Sequence, residues 1–307
     1  MTTIRILTMT SLGLLLLGAQ AAHAADACGA ASKASIQSCK LEAATTVALA
    51  NGACANLSTK EAVKACKAEA KAVFKEEKED CADQVDSHKA LCEQLGKAPY
   101  DPPISQADFL SPAATAASPN PYFPLVPGTV WTYAGGGEVV VVTVTNQTRV
   151  IDGVTTIVVR DVGSVGGVVE EDTEDYFAQH VNGSVWYFGE LSKSFEDGQL
   201  VSLHGSFLAG VDGAKPGIIM QATPTVGQVY RQEFALGVAE DAGEVISITG
   251  TESVPGASCA GTCVVTRDFN PNEPGGEENK FYAPGIGSIL EIDLETGTRL
   301  ELQSVTH

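Results

Sequence analysis

Hydrophobic and polar positions divide the chain into three stretches with different periods. Between 28 and 95 the apolar residues other than alanine are sparse: Ile36, Leu41, Val47, Leu49, Val63, Val73, Phe74, Val85 and Leu91, in a background of Ala, Lys and Glu. That background favours helix, and two helices are predicted, over 28–50 and 58–95. Asn51-Gly52 is the expected stop, because both residues readily take the left-handed cap conformation. Ser58-Thr59-Lys60-Glu61 reads as a capping box that restarts the helix.

Between 97 and 127 the pattern breaks. Eight of the fourteen prolines fall there, a density that helix and sheet interiors reject. An extended connector is expected, anchored on a neighbouring surface by Ile104, Phe109, Leu110, Tyr122, Phe123 and Leu125.

From 129 onward the text is that of strands. Segments 139–144 and 155–159 are rich in β-branched residues, which suit a pleated surface. The pairs Asp152-Gly153, Gly166-Gly167, Asn182-Gly183, Asp197-Gly198 and Thr296-Gly297 each separate two strand-like runs, the mark of a hairpin. Strands are expected near 129–134, 138–150, 154–162, 168–179, 184–189, 199–208, 228–236, 243–251, 263–269, 279–283 and 288–304, the last divided around Thr296-Gly297. A flat meander of that size leaves exposed edges, so it must curl. The fold class expected is α+β: a disulfide-linked antiparallel helical hairpin, then a mainly antiparallel β meander forming a curled sheet, half-barrel or barrel. The expected units are a signal peptide at 1–24, a helical hairpin at 25–96, a connector at 97–127 and a β domain at 128–307.

Cysteines sharpen the helical part. Cys28 and Cys92, Cys39 and Cys81, and Cys54 and Cys66 are each centred on residue 60, as antiparallel helices would place them. Eleven helical residues rise roughly 16 Å, so Cys28 cannot reach Cys39, nor Cys81 reach Cys92, within the roughly 7 Å Cα limit of a disulfide. Three nested bridges follow. The ten-residue gaps do not match the short ligand pairs of zinc sites. Cys259 and Cys263 complete the even count as a local staple, without the C-x-x-C spacing of a redox centre. Two helices alone bury too little to be stable, and disulfides supply the deficit.

Arg5, the apolar stretch 12–17 and Ala22-His23-Ala24 have the order of a secretory signal cleaved before Ala25. Export and disulfides agree, so the expected location is secreted or periplasmic. Charge is uneven: residues 26–97 carry ten Lys against eleven acids, and 98–307 carry eight Lys or Arg against 27 acids. Such a field repels nucleic acid, and no stretch beyond the signal is long and apolar enough for a membrane span. Nucleic-acid and membrane partners are therefore not expected; a small-molecule ligand or a protein partner is.

Candidate chemistry is carried by acids and aromatic residues. Glu170, Glu171, Asp172, Glu174 and Asp175 crowd one strand; oxygen-rich clusters suit Ca²⁺, and Asp172 and Asp175 are the candidate metal ligands. On a strand alternate residues point apart, so a solvated charged strand is the competing reading, and no other cofactor is indicated. Tyr176, Trp186 and Tyr187 flank Asn182-Gly183, either as core or as the apolar wall of a pocket. Asp212, Glu240 and Glu244 are candidate polar contacts that a curled sheet would bring to its mouth. Nucleophilic catalysis lacks a G-x-S-x-G elbow.

The segment Asn120-Pro-Tyr-Phe-Pro-Leu-Val-Pro-Gly-Thr-Val-Trp-Thr-Tyr133 resembles the opening of a family of exported bacterial proteins that share an NPYFPLxPGTxWxY-type β domain. Val185-Trp-Tyr-Phe-Gly-Glu190, Ala209-Gly-Val-Asp-Gly-Ala-Lys-Pro-Gly-Ile-Ile-Met220 and Lys280-Phe-Tyr-Ala-Pro-Gly-Ile-Gly287 extend the resemblance across most of 120–295. It implies an exported β domain and no particular activity, and the Cys259–Cys263 loop departs from it. The leading functional expectation is a non-enzymatic binding protein with its ligand on the concave face of the sheet. A carboxylate-dependent hydrolase and an interaction module acting through the helical hairpin are the alternatives.

Overall fold

The computed structural model describes residues 26–307. The expected signal at 1–24 lies outside the described residues. Helix α1 (Ala27–Ala55) is capped by Asp26, whose side chain accepts from the Gly29 amide. It runs through the expected stop at Asn51-Gly52. The Asn51 side chain donates back to the Val47 carbonyl at 2.8 Å, so its polar group is satisfied inside the helix instead of ending it. The extra turn carries Cys54 to its partner. Helix α2 (Lys60–Leu95) is capped by Thr59, which accepts from the Ala62 amide. The cap is thus one residue later than the predicted box.

The three nested disulfides are present as expected: Cys28–Cys92, Cys39–Cys81 and Cys54–Cys66, with Cα separations of 5.7, 5.8 and 5.6 Å. Little else holds the two helices together. Leu91, Ala43 and Ala70 are buried, while Leu41 and Leu49 are 59% and 70% exposed.

The connector is not wholly extended. A single 3-10 turn (Gln106–Asp108) and a short helix α3 (Pro112–Ala117) occur in it. Pro112 sits at the start of α3, where an amide hydrogen has no partner to lose. Phe109 is buried against the rings of His180, Trp186 and Phe188. Asn120 is a buried tie: its side-chain amide donates to the Gly183 and Gln221 carbonyls, and its oxygen accepts from the Tyr122 and Phe123 amides.

Sixteen strands follow. They are β1 (Val130–Gly135), β2 (Glu138–Ile151), β3 (Val154–Val165), β4 (Val168–Gln179), β5 (Val185–Leu191), β6 (Ser194–Glu196), β7 (Gln199–Ser202) and β8 (Phe207–Leu208). The rest are β9 (Lys215–Met220), β10 (Val229–Arg231), β11 (Glu233–Phe234), β12 (Ala242–Val254), β13 (Ala257–Phe269), β14 (Glu278–Ala283), β15 (Gly287–Asp293) and β16 (Arg299–Thr306). All pairings are antiparallel, in the order β10-β12-β13-β14-β15-β16-β1-β2-β3-β4-β5-β9-β11. The two ends of that path, β10 and β11, are neighbouring segments of one stretch broken at Gln232. One pairs with β12 and the other with β9, so the sheet is a nearly closed barrel.

Turn chemistry explains most of the register. Asp152 and Gly153, and Asp197 and Gly198, all have positive φ, which a two-residue turn of the primed type requires. Three readings differ from the structure. The expected strand at 199–208 is broken between β7 and β8. Strands β6 and β9 were not expected, and Lys215-Pro-Gly hides the start of the second. Strands β12 and β13 run on to a turn at Pro255-Gly256, so Cys259–Cys263 lies within β13 and not in a loop. Gly250 faces Cys263 and Glu252 faces Cys259, and the residues between the cysteines bulge out of the strand. The main core gathers Leu290, Leu302, Val264, Val144 and Tyr282.

Candidate functional site

Directly paired residues of an antiparallel sheet share a face, so the register gives the lining of the barrel in rows. Val142 pairs with Trp131 and Asp161. Val159 pairs with Val144 and Asp175, and Asp175 with Glu190. Across the barrel, Thr266 pairs with Val245 and Lys280, and Lys280 with Glu291. These rows enclose a cavity of about 370 Å³. Its wall is divided. Phe123, Trp131, Val142, Val144 and Phe177 make an apolar part, and Glu138, Asp161, Glu171, Asp175 and Glu291 make an acidic part with Lys280 as the single base.

Crowded acids in a poorly hydrated space favour their neutral forms. Burial, reinforced by the charges of Asp175, Glu291 and Glu171, pushes the Asp161 carboxyl up to about 8. Burial also lifts Asp175 and Glu190 to about 7 each. The Tyr187 hydroxyl lies 2.7 Å from Asp175 Oδ1 and 3.1 Å from Glu190 Oε2. One phenolic hydrogen can serve only one of two carboxylates, so the trio holds a second, shared proton when both contacts form. Burial works against the charge of Lys280, yet Glu291, Glu278 and Asp268 around it hold its pKa well above the ordinary lysine range. Its Nζ is 3.4 Å from Glu278 and 3.8 Å from Asp268 and Glu291.

A second polar group lies beyond Lys280, around Gly243. Tyr230 and Asp268 are both register partners of Gly243. A Cβ there would come within 2.9 Å of Gln232 Nε2 and 3.1 Å of the Tyr230 hydroxyl, so glycine leaves room for both side chains. Tyr230 OH, Gln232 Nε2, Thr266 Oγ1, Asp268 Oδ1 and Asp241 Oδ1 are all buried without a hydrogen-bond partner.

Of the residues singled out in the sequence, Tyr187 and Asp175 meet in the lumen. Glu171 of the acidic cluster also lines it, and the other candidate site residues lie elsewhere. Tyr176 is on the outer face, under the Arg149 guanidinium, with its hydroxyl accepting from Arg149 and donating to Glu174. Trp186 packs outside the barrel on Phe109 and His180. Asp172 is held by Arg160 through two hydrogen bonds of 2.9 Å, on the face opposite Asp175, because the two are an odd number of positions apart. Glu244 pairs with Arg267. Glu240 is buried beside Arg231 and accepts from the Gly237 amide. Asp212 occupies a left-handed turn position with φ 51°. Among the described residues, no three His, Cys, Asp or Glu converge as they would around a metal ion, so the Ca²⁺ expectation gains no geometry.

Asp161, Lys280, Glu291, Trp131 and Tyr133 were not among the candidate site residues. Alternation was the available signal, since Tyr133 and Trp131 on β1 occupy one face. Which acids share that face depends on the register and on bulges such as the one between Gly163 and Ser164. No helix among the described residues is long and apolar enough to cross a membrane. No family model, curated protein or solved structure matches the chain.

Proposed function

We propose that the chain is an exported binding protein whose small ligand occupies the barrel lumen. The observation that carries this reading is the divided cavity: an apolar part that an organic body would fill, facing acids that are poorly hydrated and only partly ionised. Ligand pockets commonly combine an apolar wall with a few convergent polar groups and perturbed pKa values. The four disulfides fit an oxidising compartment outside the cytosol. The expected signal at 1–24 and the resemblance to exported β-domain proteins belong to the same proposal.

Native mass spectrometry of protein purified from its own host tests it. The expected result is a retained small molecule that leaves on unfolding, together with a change in Trp131 fluorescence when a neutral apolar probe is added. A bare mass, with fluorescence unmoved by any such probe, would sink the reading.

The Asp175–Tyr187–Glu190 trio favours one second reading, general acid–base chemistry on the bound molecule. A carboxyl near pKa 7 is suited to that work. Turnover that disappears in Asp175→Asn while ligand retention persists would select it over binding alone.

A further inference from the structure

The polar end of the lumen holds buried polar atoms whose hydrogen bonds are unmet. Among the described residues the Asp161 carboxyl makes no hydrogen bond or ion pair, although it lines the cavity. Beyond Lys280, Thr266 Oγ1, Asp268 Oδ1 and the Tyr230 hydroxyl are unpartnered on residues only 1%, 8% and 7% exposed. Their strand positions turn them into the barrel, since Thr266 is the direct partner of Lys280 and Asp268 that of Gly243. Lys280, which lines the cavity and lies 3.8 Å from Asp268, links the two groups. The Asp161 carboxyl feels Asp175, Glu171, Glu291 and Lys280, and Lys280 reaches Asp268 and Glu291. Of the unmatched atoms, the Asp268 and Asp241 oxygens accept, the two hydroxyls donate or accept, and Gln232 Nε2 donates. Lys280 is the single cation of the cavity wall, shared among three carboxylates.

A neutral apolar molecule would cover these acceptors and leave them dry and unmatched. An anion would add to the crowding of carboxylates. A group carrying several N–H donors and a positive charge answers both deficits at once. Resting on the lumenal-binding reading above, we propose that the ligand is an organic cation with an ammonium or guanidinium head directed at Asp161, Thr266 and Asp268. Its short apolar body lies along Trp131, Val142, Val144 and Phe177.

Three probes of equal length test the assignment on the full oxidised chain: hexylammonium, 1-hexanol and hexanoate. Each is titrated against N-phenyl-1-naphthylamine, a neutral fluorophore for the apolar wall. At pH 8.5 hexylammonium should displace the fluorophore at a concentration at least about tenfold lower than hexanol, and hexanoate should be weaker than both. At pH 5, with Asp161, Asp175 and Glu190 protonated, the advantage over hexanol should shrink several-fold. Asp161→Asn should abolish the charge preference while hexanol still competes, and Thr266→Val, which keeps the side-chain shape, should weaken only the ammonium.

Equal or better competition by hexanol or hexanoate overturns the cationic class while leaving the lumen as a binding cavity. Failure of the fluorophore itself to bind overturns the lumenal reading, and the class with it.

Discussion

The helical hairpin and the barrel are stabilised by different means. In the hairpin three covalent bridges span two helices whose larger apolar side chains mostly face water. In the barrel a continuous cluster of buried side chains does the work, and its one disulfide closes a separation of four residues. A disulfide stabilises mainly by limiting the unfolded chain, and more so for longer loops. Sequence separation therefore matters in the first region and apolar burial in the second.

Reduction should separate the two most strongly. The chain-entropy relation gives about 4 kcal/mol for a loop the length of Cys28–Cys92 and about 3 for one like Cys54–Cys66. With dithiothreitol the helical far-ultraviolet signal should collapse while the tyrosine and tryptophan near-ultraviolet signal of the barrel persists. Equal loss of both signals would mean that the barrel depends on the hairpin. The opposite perturbation is Leu290→Ala. Leu290 is fully buried in the barrel, and truncation there should cost about 3 kcal/mol, read as a lower thermal midpoint. Leu41→Ala in the exposed hairpin face should cost less than about 0.5 kcal/mol and leave the midpoint nearly unmoved.

The same difference explains what the sequence disclosed. The nested disulfides were legible because helix geometry converts residue numbers into distances along a rod. Strand and turn positions were legible wherever Gly and Asp supply positive φ, as at Asp152-Gly153. The lumen was not. Alternation puts Asp172 and Asp175 on opposite faces, but only the pairing of β4 with β3 and β5 shows that one meets Arg160 and the other Tyr187. Lys280 and Asp161, far apart in the chain, become neighbours through barrel closure. The Asn51-Gly52 stop failed for a local reason, since Asn51 found its partner in the preceding helical turn.

The two regions should also respond to pH with opposite sign. In the barrel the folded pKa values of Asp161, Asp175 and Glu190 are raised to about 8, 7 and 7, above unfolded values near 4. The folded state binds more protons, so this stability is fully present below about pH 4 and is lost as pH rises toward 8. The barrel without ligand should melt several degrees lower at pH 8.5 than at pH 5, and Asp161→Asn should flatten that slope. At the seam between hairpin and barrel, burial chiefly lowers His88, against the raising effect of Glu240. There the folded state binds fewer protons, and docking should weaken as pH falls below about 6.5. Hydrogen exchange followed by peptide and corrected for the intrinsic pH dependence of amide exchange should show greater protection in the barrel and less around His88 on acidification. A common direction for both would refute the contrast.

The smallest effect concerns the seam itself, where the two kinds of stability meet. Asn272, in the loop between β13 and β14, accepts at Oδ1 from Ser35 Oγ at 3.0 Å and from His88 Nε2 at 3.1 Å, and its backbone carbonyl accepts from Gln84 Nε2 at 2.7 Å. One barrel residue thus ties both helices. Asn272→Ala removes the side-chain acceptor and keeps the carbonyl, so two buried donors lose a partner while Gln84 keeps its own. The cost should be about 1–2 kcal/mol, and neither the disulfides nor the barrel core should register it. Peptides around Ser35 and His88 should exchange faster, while the thermal midpoint of the barrel stays within a degree or two. If the barrel midpoint falls as far as it does in Leu290→Ala, the hairpin is part of the barrel's cooperative unit, and the division between covalent and apolar stabilisation does not hold at the seam.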